Sequence, residues 1–293
     1  MYINGGKVMQ LKKITSIIVS TCFAVTIFGI FSDANAYLAY IILDKTNKMA
    51  LLDSENNSII AYNKLPVKGS HGVTYSPDKK YLYINAMPPG DIVEFDIAGN
   101  GVSKWYPQKT TKNCGILVAP DGKTVISASQ NKKVILLNRI TGESKTIDVP
   151  SDSHQFTFRD NLVWVAGGNG NAVHAIDWKK GTYEGSVNVG KVPHGLTWSP
   201  DGSKVLVSLR GENRVAIYDA ASFNTGGTAK ESGSISVPVT EGGLCNITLM
   251  PDNKSYWVAE TFARMIHQID VNDQEVIASV KVDGEPHHVQ PMK

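Results

Sequence analysis

Short apolar runs alternate with polar, turn-forming stretches from Tyr37 to the end of the chain. The first run is Tyr37-Leu38-Ala39-Tyr40-Ile41-Ile42-Leu43. A polar stretch at 44–48 follows, then a second run at 49–53, a turn at Glu55-Asn56-Asn57 and a third run at 58–65. From there one order recurs. A motif strand ends in a turn of the Pro-Asp-Gly type. A second strand comes next (80–86, 124–129, 162–167, 204–209, 255–259), then a third that ends near Asp or Asn (92–96, 133–138, 172–177, 214–219, 265–270). A more polar fourth strand closes the unit, as at 144–149 and 276–282. The runs are rich in β-branched and aromatic residues and are bounded by turn formers, which is the pattern of strands. No long stretch carries the 3.6-residue period of an amphipathic helix.

The motif strand itself repeats. Its best copy is Pro193-His194-Gly195-Leu196-Thr197-Trp198-Ser199-Pro200-Asp201-Gly202. Others are Ser70-His71-Gly72-Val73-Thr74-Tyr75-Ser76-Pro77-Asp78, Asn113-Cys114-Gly115 with Ala119-Pro120-Asp121-Gly122, and Leu244-Cys245-Asn246 with Met250-Pro251-Asp252. Ser153-His154-Gln155 is a weaker copy, and Pro286-His287-His288 is cut short by the C-terminus. The second position is always His or Cys, at spacings of 43, 40, 40, 51 and 42 residues. Four antiparallel strands per unit of about forty residues predict the blades of a β-propeller. Five blades are whole. The N-terminal strands of 37–69 lack a motif strand, and 286–293 supplies one, so the two ends share a sixth four-stranded blade and remove exposed edges. The spacing of 51 implies an insertion, expected as a mobile outer loop at 223–230.

Lys12 and Lys13 precede a mostly apolar stretch, 14–31, and Ala34-Asn35-Ala36 has small residues at a cleavage site. Residues 1–36 therefore read as a secretory signal, or if uncleaved as an anchor. The expected product is one propeller domain, 37–293, periplasmic or secreted and monomeric. Removing the signal takes away three Lys and one acidic residue, leaving 26 basic and 26 acidic side chains. Without a basic patch, nucleic acid is not an expected partner. No other apolar run is long enough to span a bilayer, so no membrane association is expected after cleavage.

In a propeller the motif strand is innermost and its first residues lie at one channel mouth. His71, Cys114, His154, His194, Cys245 and His287 should then form a ring, with His288 as a seventh candidate. The order His-Cys-His occurs twice, which suggests a duplicated three-blade unit. Cys114 and Cys245 would face each other from opposite blades, too far apart for a disulfide, whose Cα atoms must approach within about 7 Å. Imidazole and thiolate donors suit copper or zinc, or axial ligation of a haem-type cofactor. The alternative is that each His fixes the start of its strand and each Cys packs as a small apolar residue. Loops after the second strands should reach the same mouth. They offer Asp44, Met87, Gln130, Asn169, Arg210 and Glu260 for contacts to a cofactor, a small ligand or a protein partner. His174 and His267 fall on third strands and read as structural.

The His-Gly and Ser-Pro-Asp-Gly repeat resembles the bacterial YVTN/YncE-type β-propellers, and is similar to the propeller domains of cytochrome cd1 nitrite reductase and nitrous-oxide reductase. The resemblance implies channel-mouth histidines that serve copper or a modified haem, at the positions of His71, His154, His194 and His287. The sequence has no CxxCH haem-attachment motif. Six-bladed exported lactonases hold a hard cation with oxygen ligands, whereas the inner positions here carry nitrogen and sulfur. No Gly-x-Ser-x-Gly elbow, phosphate loop or HExxH helix occurs. The expected role is binding at the channel mouth. A metalloenzyme using the ring and a scaffold without a cofactor are the alternatives.

Overall fold

The computed structural model describes residues 36–67 and 69–292. The expected targeting segment, 1–36, lies outside the described residues except for Ala36. Six four-stranded antiparallel sheets form a six-bladed β-propeller. Blade one is Ser70–Tyr75, Tyr81–Ala86, Asp91–Asp96 and Gly101–Tyr106. Blade two is Asn113–Val118, Thr124–Ser129, Lys133–Asn138 and Ser144–Asp148. Blade three is Phe156–Arg159, Leu162–Ala166, Ala172–Asp177 and Thr182–Asn188. Blade four is Pro193–Trp198, Lys204–Leu209, Arg214–Asp219 and Glu231–Ser236. Blade five is Leu244–Leu249, Ser255–Glu260, Met265–Asp270 and Val276–Lys281. Blade six is shared by the two ends of the chain: Glu285–Pro291 is innermost and pairs with Leu38–Asp44, followed by Lys48–Asp53 and Ser58–Lys64. The helical content among the described residues is two 3-10 turns, Gly168–Gly170 and Ala220–Ser222. No described helix is long and apolar enough to cross a membrane.

The apolar runs are continuous, not alternating, because the strands are covered on both faces. In Leu38–Asp44, Ala39, Ile41 and Leu43 pack against Trp257 and Ile266 of blade five, whereas Tyr40 and Ile42 pack against Val73 and Leu82 of blade one. A cluster of this kind fills each of the six gaps between neighbouring blades. At about 1.5–3 kcal/mol per fully buried large aliphatic side chain, these gaps dominate the stability. The outer strands face water on one side, and Val276–Lys281 accordingly alternates between half-buried and exposed. The turn after the motif strand is held by an aspartate in blades one, two, four and five. Asp121 accepts the backbone N–H of Lys123 at 2.8 Å and of Thr124 at 2.9 Å. Gly122 takes the left-handed conformation that the turn requires, with φ 66°.

The expected mobile loop at 223–230 is instead anchored. Phe223 is buried and packs its ring 5.2 Å from Trp164 and 5.9 Å from Trp198. Beyond it, Gly226 donates to the Ser186 carbonyl at 2.7 Å, and Ala229 donates to that of Asn188 at 2.9 Å. The insertion thus covers the outer edge of blade three, which would otherwise present unpaired backbone groups.

Candidate metal centre

Five of the six ring residues sit where the inner strand breaks register with the second strand. In blade one the partners step from Ser70↔Ala86 to Gly72↔Asn85, which leaves His71 unpaired. Equivalent bulges isolate Cys114, His194, Cys245 and His287. His154 lies just before its strand. A β-bulge leaves one residue outside the ladder and re-aims its side chain. Here it turns the side chains toward the channel axis.

The neighbouring backbone is clamped. Asn85 donates its amide to the carbonyls of Cys114 at 3.1 Å and Gly115 at 3.0 Å. The Ser208 hydroxyl likewise donates to the Cys245 carbonyl. The motif glycines permit this approach, because a Cβ on Gly72 would lie 2.2 Å from the Cys114 carbonyl oxygen and one on Gly115 would lie 2.6 Å from that of His154. The same position holds Gln155 in blade three and His288 in blade six, whose side chains meet across the axis, Gln155 Nε2 against His288 Nε2. That contact links opposite blades next to the ring, and His288 takes part in it.

The structure brings all six ring residues together. His71, Cys114 and His287 form one group whose ligand atoms lie within 4.8 Å of one another; Cys114, His154 and His194 form a second; His194, Cys245 and His287 form a third. Each group is two imidazoles and one thiol. The rings touch: His71 and His287 are 3.9 Å apart between centroids, His154 and His194 4.2 Å, and His194 and His287 4.9 Å. All six residues are buried and both cysteines are free.

The hydrogen bonding of these imidazoles is incomplete. His71 pairs its Nδ1 with Asp44 Oδ1 at 3.0 Å, and His154 pairs its Nε2 with Asp152 Oδ2 at 2.9 Å. Their other nitrogens, His71 Nε2 and His154 Nδ1, are buried without a partner. So are both nitrogens of His194 and the Nδ1 of His287. Burial, reinforced by neighbouring imidazoles, holds His194, His287 and His288 well below the usual histidine range, so they are neutral. Burial also pushes the Cys245 thiol up to about 11, opposed by the Arg210 guanidinium and a hydrogen bond with Thr261. Desolvation resists ionisation of Asp44 and Asp152. Hydrogen bonds and charge from His71 and His154, joined by the backbone N–H groups of Lys45 and Asn169, together outweigh it and keep both carboxyls below their ordinary range.

The loop residues expected at this mouth divide. Asp44 orients His71. Arg210 stands 3.8 Å from Cys245 Sγ and covers the Phe262 ring. Asn169 supports the centre indirectly, donating its backbone N–H to Asp152 at 2.8 Å. Glu260 is fully buried and is engaged by the backbone of Thr240 and Glu241 and by His267 at 3.1 Å. Met87 and Gln130 contribute backbone bonds, to Gly69 and Lys112. Asp152, Gln155 and Thr261 belong to the centre, and the motif pattern does not single them out. For Asp152, an acidic residue two positions before a ring histidine is the signal the sequence offers.

No protein-family model and no curated protein matches the chain. Among solved structures, a functionally unknown protein from Desulfotomaculum acetoxidans is similar, with TM-score 0.64 and 15% identity over 87% of this chain and 88% of that chain. This likeness shows the fold. The class is therefore a six-bladed propeller whose channel carries grouped His and Cys side chains able to hold a metal ion.

Proposed function

We propose that this is an exported binding protein for a soft or borderline transition-metal ion, copper before zinc, seated in the imidazole–thiol ring. The observation that carries the reading is the set of buried ring nitrogens without partners. Leaving a buried polar group unsatisfied costs about 1–3 kcal/mol, and several such groups converge here. An ion satisfies them together. The carboxylates on the far nitrogens of His71 and His154 are the usual means of fixing a ligand's tautomer and orientation. Oxygen donors are absent from the groups, which disfavours magnesium or calcium. Three donors per group suit copper better than zinc, which is almost always four-coordinate in structural sites. Ligand atoms within 4.8 Å of one another are close enough to share one ion, whereas a haem-type cofactor would have to lie above the mouth. The motif spacing supports placing the chain with the YVTN/YncE-type propellers.

The test is elemental analysis and anaerobic Cu(I) titration of protein purified from the periplasm, beside His71→Ala/His194→Ala, which takes a donor from each of the three groups. Stoichiometric copper that the double variant loses is expected. A chain that takes up neither copper nor zinc, while folded, refutes the reading.

A further inference from the structure

The donor set of the ring says more than that a metal binds. Each of the three groups pairs two imidazoles with one thiol, and no carboxylate joins any of them. A trigonal His₂Cys set is one of the few protein environments that stabilises copper in both its oxidation states. There the thiolate binds strongly, and a weak axial contact and hydrogen bonds to the sulfur set the potential. The two cysteines differ in this respect. Cys245 meets the Thr261 hydroxyl at 2.8 Å, which donates its own proton to the Pro286 carbonyl, and has the Arg210 guanidinium 3.8 Å away, whose charge draws electron density from its sulfur. The Cys114 sulfur instead faces the neutral Gln155 amide, at 3.8 Å. Around Cys114, each group has one imidazole oriented by a held carboxylate, His154 by Asp152 and His71 by Asp44, and the group with His194 is set apart by that second imidazole. His194 has both nitrogens free.

We infer that the Cys114–His154–His194 group, holding copper, is a one-electron redox centre. This rests on the proposal that the ring binds a metal ion, and adds that the ion cycles. Cu(II) held by the Cys114 thiolate takes one electron from a one-electron donor, such as a reduced haem or iron–sulfur protein, and becomes Cu(I). The same electron leaves to a one-electron acceptor. No ligand bond has to form or break and no proton moves. The frame suits such a change, since a centre that does not rearrange exchanges electrons with little reorganisation. The bulges around the ring are clamped by Asn85 and Ser208, and Gln155 meets His288 from the opposite blade. Water is kept from the sulfur, because Cys114 is completely buried. His154, near the mouth, is the ligand through which a docked partner would exchange the electron.

The test uses the full chain purified from the periplasm and loaded anaerobically with Cu(I), with bound copper measured first. Oxidation by one equivalent of ferricyanide should raise an intense visible thiolate-to-copper charge-transfer band and a Cu(II) electron paramagnetic resonance signal. Ascorbate should bleach both, and ferricyanide should restore them. Cys114→Ser should abolish the band, with circular dichroism confirming that the variant folds. Gln155→Leu should shift the midpoint potential, a readout that a purely structural role for Gln155 would leave in place. Copper that binds stoichiometrically but gives no thiolate band overturns this inference and leaves metal binding standing. A band that survives Cys114→Ser and is lost in Cys245→Ser overturns it in the same way. A chain that binds no copper removes both.

Discussion

His174 and His267 are as deeply buried as His71, His154, His194 and His287, yet their nitrogens have opposite fates. His174 pairs Nε2 with Ser151 at 2.8 Å and Nδ1 with Ser186 at 2.7 Å; His267 pairs Nδ1 with Ser279 at 2.8 Å and Nε2 with Glu260 at 3.1 Å. Every polar atom of these two rings is satisfied within the blade or by Ser151 in the loop leading into it. In the channel ring, His194 has neither nitrogen satisfied, and His71 and His154 each have one satisfied by a carboxylate. Burial therefore does not separate a structural histidine from a candidate ligand. The accounting of partners does.

The comparison can be broken by exchanging the two kinds of site. Replacing His71 and His194 by Ala, which breaks all three groups, should eliminate stoichiometric copper while the far-ultraviolet circular dichroism is kept. In His174→Ala the copper should remain, and unfolding in urea should show a loss of about 2–3 kcal/mol, from the unsatisfied Ser151 and Ser186 and the cavity left behind. Copper lost from His174→Ala as well would erase the distinction. One step outward, Asp152→Ala frees the far nitrogen of His154, and copper affinity by competition titration should fall about 10–100-fold.

Acid sharpens the contrast differently. Burial pulls the folded-state value of His174 down to about 4, whereas an unfolded histidine titrates near ~6.5. Between these values the unfolded chain binds the extra proton, so stability should fall as pH drops through the window and be flat above it. His194 and His287, displaced in the same direction, add to the effect in metal-free protein. Thermal midpoints of the apo-protein recorded from pH ~7 to ~5 should decline. Midpoints that rise on acidification would contradict neutral buried rings.

The smallest expected effect has the unusual sign. His194→Leu should raise the stability of the metal-free chain by about 1 kcal/mol, because it removes two unsatisfied buried nitrogens and keeps the apolar volume. The same change at His267 should destabilise, since Glu260 and Ser279 would lose their partner. A destabilised apo His194→Leu, measured by denaturant titration, would mean that its nitrogens have partners after all.

The blades and the ring were legible because both depend on position in a repeat. A His or Cys at the same place in every motif strand must converge when the strands surround an axis. The bulges were not legible, since register belongs to the pairing of two strands and not to either alone. Glu260 illustrates the limit. Its loop position suggested a channel contact, but a histidine on the adjacent strand and two backbone N–H groups claim the carboxylate. Asp152 shows the reverse case. It lies in the weakest motif copy, where the regular strand has not yet begun, and only the folded backbone shows it facing His154. Phe223 was hidden among loop-forming residues, although its ring fixes the whole insertion.

The central claim is that unpartnered ring nitrogens and a thiol together hold the ion. X-ray absorption at the copper edge of Cu(I)-loaded protein tests it most directly. A first shell of imidazole nitrogen plus one sulfur, with the sulfur scattering lost in Cys114→Ser, is the predicted result. A shell of nitrogen and oxygen alone, unchanged by that substitution, would contradict it.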